Sequence, residues 1–338
     1  MTDIVIRKQG RAGLITLNRP QALNALTWDM CLQLEQAIDL WRDDNDVHLI
    51  IIDGAGDRAF CSGGDIADMY ASGQNKDYDY GRRFWRDEYR LNAKIAEYTK
   101  PIVTFLHGFT MGGGVGVGCH ASHRIVCETS QIAMPECGIG LIPDVGGTLL
   151  LANAPGFIGT YLGLSGDRMD AGDAIYVGFA DSFVPTSDWE ALKNSLILTG
   201  IADIPHHASP KPRLMDWRTD IDIAFQPDSL PEIAAALGSS PIHQTAQKLI
   251  SRNSPLAMAC AIPLINAART DDDIRPALTR EFQFTYRAVA DSDFIEGIRA
   301  AIIDRDRAPK WRHASLHAVG IADIAEMTRP LGADALQF

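Results

Sequence analysis

An α/β fold is what this sequence predicts, and three observations carry the prediction. Short apolar runs with strand character alternate with amphipathic helical stretches through the first 150 residues. One run, Val47-His-Leu-Ile-Ile-Ile-Asp53, is apolar enough to be a strand covered on both faces. Beyond about residue 200 helix follows helix, so the expected plan is a core over residues 1–200 and a helical region over 201–338.

The elements follow in order. Residues 3–8 and 13–17 read as two strands around a Gly10–Gly13 turn, and Pro20 ends that regularity. Thr27 is a good N-cap, with Asp29 in the first turn and Met30, Leu34, Ile38 and Trp41 forming a helical stripe. Val47–Asp53 is the covered strand, and Gly54 to Gly64 reads as a loop. A long helix fits Gly81–Tyr98 through Phe84, Leu91, Ile95 and Tyr98, while Glu88 interrupts the stripe, a mild curiosity whose plainest account is a solvated edge position. Pro101 introduces the strand Ile102-Val-Thr-Phe-Leu106, a short helix opens from the glycines after Met111, and Arg124–Cys127 is another short strand. Asp170 caps a helix over Ala171–Val177 that Gly178 closes, and Ser187 with Glu190 suggests a capping box. Residues 199–227 are proline-rich and read as a long excursion. Ser240-Pro241 and Ser254-Pro255 then open helices, with further helices over Arg280–Ala290 and Phe294–Asp304.

Composition bounds the function. The 338 residues are 46% hydrophobic and 22% charged, which is globular, and the net charge of -12 argues against a nucleic-acid binder. Six cysteines at 31, 61, 119, 127, 137 and 260 form no CxxC and read as buried free thiols. The N-terminal stretch shows neither an apolar leader nor a basic amphipathic one, and no apolar run reaches transmembrane length. A cytoplasmic protein without membrane contact is the expectation.

Three segments carry candidate chemistry. In Ala59-Phe-Cys-Ser-Gly-Gly-Asp65 adjacent glycines bring bare N–H groups toward a ligand, and Asp65 is placed to cap a helix through Met69. Met111-Gly-Gly-Gly-Val-Gly-Val-Gly118 denies side chains to one face, but it is neither GxGxxG nor a P-loop. Two such loops suit the donation of one N–H each to a developing oxyanion. Glu136 and Asp144, each following a proline in a glycine-rich run, are either acid–base groups of a pocket or ordinary loop caps. His206-His207 and the His313/His317 pair lack the pattern of a zinc site, and no GxSxG elbow occurs.

Taken with Asn18-Arg-Pro-Gln-Ala-Leu-Asn-Ala-Leu26, Phe60–Ile66, Gly108–Gly114 and Met134–Gly147, these segments resemble the enoyl-CoA hydratase/isomerase (crotonase) superfamily. The stretch Asp293–Trp311 is similar to the DFxEGVRAxLIDKDxxPxW signature of its 3-hydroxyisobutyryl-CoA hydrolase group. The resemblance implies a crotonase-like ββα spiral (ClpP/crotonase fold) whose helical C-terminal region closes the site or joins subunits. It implies an oxyanion hole from the backbone N–H groups of Gly64 and Gly113, and a CoA-lining role for Ala22, Leu23 and Ser62. It implies an acyl-CoA substrate, no metal or separate cofactor, and a possible homo-oligomer, trimer or hexamer. Typical hydratases of the superfamily carry a second glutamate where this chain has Gly116, and glycine where it has Asp144. The resemblance therefore implies thioester hydrolysis by Glu136 and Asp144 on a short branched β-hydroxyacyl-CoA. Alkene hydration or isomerisation and non-catalytic acyl-CoA binding are the alternatives. Gly178-Phe-Ala-Asp-Ser-Phe-Val-Pro185 departs from the GLATHYV of the group, which bears on acyl specificity.

Overall fold

The computed structural model describes residues 2–338. Its described strands, in chain order, are β1 (Ile4–Gln9), β2 (Ala12–Leu17), β3 (Leu49–Gly54), β4 (Ala59–Cys61), β5 (Ile102–Leu106), β6 (Phe109–Met111), β7 (His123–Val126), β8 (Gln131–Ala133) and β9 (Ser182–Phe183). They form a six-stranded sheet in the order β1-β2-β3-β5-β7-β9 and a three-stranded sheet in the order β4-β6-β8. Of the ladders between described strands only β1–β2 is antiparallel, with Ile4 opposite Leu17 and Gln9 opposite Ala12; the others are parallel.

The chain parts into two compact units. The first comprises the chain to Gly64, Asp87–Ala133 and Arg168–Arg213, and holds both sheets. The second comprises Asp65–Arg86, Met134–Asp167 and Leu214–Phe338, and is helical. This partition differs from the expected division at residue 200, because segments 65–86 and 134–167 belong with the C-terminal helices.

In the first unit the large sheet is covered on both faces, as the unbroken apolar run of β3 requires. On one face Leu14, Leu49, Ile51, Val103, Phe105 and Ile125 pack with Trp189, Leu192 and Leu196. The Phe105 and Trp189 rings meet edge-on, 5.0 Å between centroids. On the other, Trp41 lies so close to β2 that a Cβ on Gly13 would sit 2.3 Å from its ring. Trp41 belongs to the helix Trp28–Arg42, capped as expected: the Thr27 side chain accepts from the Met30 N–H at 3.2 Å. The Asp170 cap also forms, accepting from the Asp173 N–H at 2.8 Å.

Some local expectations fail for identifiable reasons. Ser187 donates to Asp188 at 2.9 Å instead of capping, and residues Thr186–Asp188 form a 3-10 turn ahead of the helix Trp189–Thr199. The helix Ala67–Gln74 has Ile66, not Asp65, at its N-cap position, with no cap bond from the Ile66 side chain. The proline-rich excursion contains the helices Arg213–Asp216 and Arg218–Phe225, whose Leu214, Ile221 and Phe225 are buried. In the second unit the almost wholly buried helix Pro255–Ala268 packs against Gly147–Asn153, Ile158–Ser165 and Ile274–Asp291. Among the described residues no helix is long and apolar enough to cross a membrane.

The helix Asp79–Ala96 matters most for the site, and in the first unit it is pinned by charge. Glu35, 8% exposed, accepts from Arg90 Nε at 2.7 Å and Arg90 Nη2 at 2.8 Å, and pairs with Lys94 Nζ at 2.8 Å. Trp28 Nε1 adds a 2.8 Å bond to Asp87. Burial pushes the Glu35 carboxyl up, but the hydrogen bonds from Arg90 and Lys94 outweigh it and hold the group below its ordinary value. A carboxylate depressed in the folded state stabilises above its unfolded pKa and loses that contribution as pH falls through the folded value. The substitution Glu35→Gln is expected to cost about 1–3 kcal/mol at neutral pH. In urea melts from pH 7 downward, the gap to the wild type should close only below the usual carboxylate range.

Candidate active site

Three short parallel strands deliver the candidate residues. β4, β6 and β8 are neighbours, with Ala59 opposite Phe109 and Met111 opposite Ala133. Gly64 follows the end of β4 by three residues, Gly113 follows β6 by two, and Glu136 follows β8 by three. Ligands in parallel sheets bind beyond the carboxyl ends of strands, and Gly64 and Gly113, in the first unit, leave from such ends.

Within the first unit Gly64 and Gly113 come together. A Cβ built on Gly113 would stand 3.2 Å from the Gly64 nitrogen, so only glycine leaves that space open. Two turns make the approach: Gly63 has φ 114 and Gly112 has φ 50, both in the region that favours glycine. Gly113 then opens the buried helix Gly113–Gly118, where its N–H is one of the donors without an intrahelical partner. Gly116, on that helix, is buried.

The expected CoA-lining residues converge in the same unit. The Ser62 N–H donates to the Leu23 carbonyl at 3.0 Å, and the Leu26 N–H to the Gly63 carbonyl at 2.8 Å. Ala22 closes the 3-10 turn Pro20–Ala22, and Leu23 follows at φ 52. Asn24 is structural: fully buried, it donates to the Ala55 and Ala59 carbonyls at 2.9 and 2.8 Å. The second asparagine of the sequence motif thus ties the candidate CoA segment to β4.

Glu88 corrects the sequence reading. It is 3% exposed rather than solvated, and its Oε1 lies 2.7 Å from the position of a Gly113 Cβ. The break in the apolar stripe was the only signal available for it. Carboxylates are rarely buried so deeply, and this one borders the open space between the two glycines.

In the second unit Glu136 and Asp144 are each 4% exposed, so neither is an ordinary solvated cap. Glu136 opens the 3-10 turn Glu136–Ile139, and its carbonyl accepts from the Leu141 N–H at 3.1 Å. The segment folds back on itself: a Cβ on Gly147 would stand 2.4 Å from Met134 Cε. The Asp293–Gly297 part of the C-terminal signature buttresses this turn. A Cβ on Gly140 (φ 77) would meet the Asp293 carbonyl carbon at 2.4 Å, and one on Gly297 would meet the Ile139 oxygen at 2.1 Å. Asp293 is held by Ser254 Oγ at 2.5 Å and the Arg312 N–H at 2.8 Å, while the Ser254 N–H donates to the Cys137 carbonyl at 2.9 Å.

The nearby thiols are spectators. All six cysteines are free and buried. Burial pushes Cys61 and Cys119 up to about 12 and Cys137 well above its ordinary value, so none presents a thiolate at neutral pH. His207 and His313 sit near Asp188 and Asp323 at 3.5 and 3.4 Å. Among the described residues no group of three His, Cys, Asp or Glu side chains is arranged to hold a metal.

Comparison with known proteins fits this geometry. The family model described as enoyl-CoA hydratase/isomerase matches residues 12–328. The mitochondrial 3-hydroxyisobutyryl-CoA hydrolase of Gallus gallus is 35% identical over 99% of this chain and 91% of its own length. Its Homo sapiens counterpart is 33% identical with the same coverage. Among solved structures, an enoyl-CoA hydratase from Rhodobacter sphaeroides 2.4.1 is 52% identical with a TM-score of 0.98, each chain covered completely. A carnitinyl-CoA dehydratase from Mycobacterium thermoresistibile is 37% identical with a TM-score of 0.94, covering 100% of this chain and 99% of its own. The expectation of a cytoplasmic protein is overturned by the hydrolase relatives, whose names place them in mitochondria. The crotonase-like fold expected from the motifs is shared with these structures, and the chain belongs to the enoyl-CoA hydratase/isomerase family.

Proposed function

We infer that this chain is an acyl-CoA thioester hydrolase that converts 3-hydroxyisobutyryl-CoA and water to 3-hydroxyisobutyrate and free CoA. The observation that carries the reading is the open space kept by Gly113 beside the Gly64 nitrogen, with the Glu88 carboxylate at its border. Two backbone N–H groups suit the oxygen of a thioester as it gains negative charge. A carboxylate oxygen would repel that charge, so Glu88 serves a different part of the substrate. It is an acceptor, and a β-hydroxyacyl group offers a hydroxyl donor that an enoyl group lacks. The curated relatives named 3-hydroxyisobutyryl-CoA hydrolase, aligned over almost the whole chain, support the same substrate.

In the proposed reaction Gly64 and Gly113 hold the thioester oxygen, and Glu136 supplies the basic carboxylate. It either takes a proton from the attacking water or attacks the carbonyl itself to give an anhydride that water then opens. In both routes the C–S bond breaks, water oxygen ends in the carboxylate product, and the thiolate receives a proton. Asp144 orients the water or the hydroxyacyl group and delivers that proton. Ala22, Leu23 and Ser62 line the CoA moiety. The reaction draws on no group beyond protein, water and acyl-CoA.

Hydration is the second reading, favoured by the hydratase name of the Rhodobacter sphaeroides structure. Against it stands Gly116, which offers no carboxylate at the position of the second hydratase glutamate. A panel of acyl-CoA thioesters, followed separately for thiol release and for alkene absorbance, decides between them. Thiol release from 3-hydroxyisobutyryl-CoA supports the hydrolase; hydration of crotonyl-CoA without thiol release replaces it. The substitution Glu136→Gln should lower thiol release by about a hundredfold or more. An unchanged rate removes Glu136 from the mechanism.

Gly113→Ala tests the open space. The added methyl carbon would lie 2.7 Å from Glu88 Oε1 and 3.2 Å from the Gly64 nitrogen. The expected loss in kcat is about 10²–10³-fold, comparable to deleting an oxyanion donor, with CoA itself still bound. Full turnover by this variant would place the reacting oxygen elsewhere.

A further inference from the structure

Asp144 begins a turn that is costly to form. Its carbonyl accepts from the Gly147 N–H at 2.7 Å, and the two residues between, Val145 at φ 56 and Gly146 at φ 77, are both left-handed. Turns with both central residues left-handed are dominated by Gly, Asn and Asp, and a β-branched residue there is a conformational outlier. Val145 is also 1% exposed, so solvent does not relax it. Something beyond local preference keeps this turn in place.

A direct hold on the far side of the turn comes from the helix Ile274–Asp291. Glu281 is completely buried and grips the far side of the turn with both carboxylate oxygens. Gly146 N–H donates to its Oε2 at 2.7 Å; Thr148 donates to its Oε1 from the N–H at 3.0 Å and from Oγ1 at 2.5 Å. The helix Gly147–Asn153, which follows, has no side-chain cap of its own from Gly146. A neutral capping side chain would satisfy that helix end at less cost, because burial pushes the Glu281 carboxyl up to about 7 despite the bonds from Thr148 and Gly146.

We propose that Glu281 is a positioning residue for the reaction: by clamping Gly146 and Thr148 it holds the left-handed turn that aims the Asp144 side chain. Without the clamp the Val145–Gly146 pair relaxes toward right-handed conformations, and the residue that begins the turn changes direction. This rests on the reading above that Asp144 takes part in turnover. It assigns Glu281 no contact with substrate.

The test compares Glu281→Gln, Thr148→Val and Thr148→Ser with wild type by kcat, KM and thermal midpoint. Positioning predicts that Glu281→Gln lowers kcat at least about tenfold while KM stays within about threefold. Thr148→Val keeps the shape and loses the hydroxyl, so kcat falls several-fold; Thr148→Ser keeps the hydroxyl and stays near wild type. Simple capping or packing predicts a lower thermal midpoint with kcat preserved in Glu281→Gln, or more damage from Ser than from Val at 148, and either result overturns the proposal. If Glu281→Gln does not fold, the Thr148 pair decides by the same criteria. The variants are assayed on whichever acyl-CoA reaction the wild type performs. A wild type that releases no thiol therefore defeats the hydrolase reading while the comparison still judges Glu281, and an Asp144→Asn variant with full kcat removes the premise.

Discussion

The structure depends on one close approach, that of Gly113 to the Gly64 nitrogen. A thioester carbonyl becomes an oxyanion far more readily where donors already point at it, and backbone N–H groups are the donors least able to swing away. Presenting them requires two chain segments to pass within a distance that excludes any side chain. The left-handed residues Gly63 and Gly112 are the conformational cost of that approach, incurred once at folding. The three-stranded parallel sheet supplies rigidity, because neighbouring strands fix where the next two or three residues begin.

Within the two units the charges divide by depth. In the Glu35–Arg90–Lys94 cluster the partly exposed Arg90 and Lys94 keep its energetic worth modest and pH-dependent. Glu88, Glu136 and Asp144 are nearly inaccessible. Carboxylates in such places carry a desolvation cost that solvent-exposed ion pairs largely escape. The thiols show the opposite effect of burial: desolvation of Cys61, Cys119 and Cys137 suppresses the thiolate.

Much of this was legible in the sequence, and the illegible parts share a cause. The long elements were plain: Thr27 announced its helix, β3 announced a covered strand, and Asp170 and Ser254 capped as their positions suggested. The sheet β4-β6-β8 was invisible because each strand is three residues long, shorter than any periodicity can register, and two of them border glycine-rich loops. Yet that sheet delivers the candidate residues. Gly64, Gly113, Glu136 and Asp144 could be named from motif resemblance, whereas Glu88 was misread as solvated because a single acid in a stripe has two opposite explanations. Glu281 gave no signal, since its partners Gly146 and Thr148 lie more than 130 positions away in sequence.

The arrangement also explains how one backbone can serve different reactions in a family. In the proposed reading the oxyanion donors, Gly64 and Gly113, belong to the main chain and survive almost any change of side chain. What varies cheaply is the placement of carboxylates: a glycine such as Gly116 on a buried helix, or an acid such as Asp144 at the start of a turn. Moving an acid from one such position to another leaves the grip on the thioester intact and changes which atom can lose or gain a proton. But an acid is only as useful as its direction is fixed, and Asp144 stands before a turn that its own residues disfavour. In the proposed reading a carboxylate in a new place therefore brings a second requirement with it, a buried partner such as Glu281 to hold the turn that aims it.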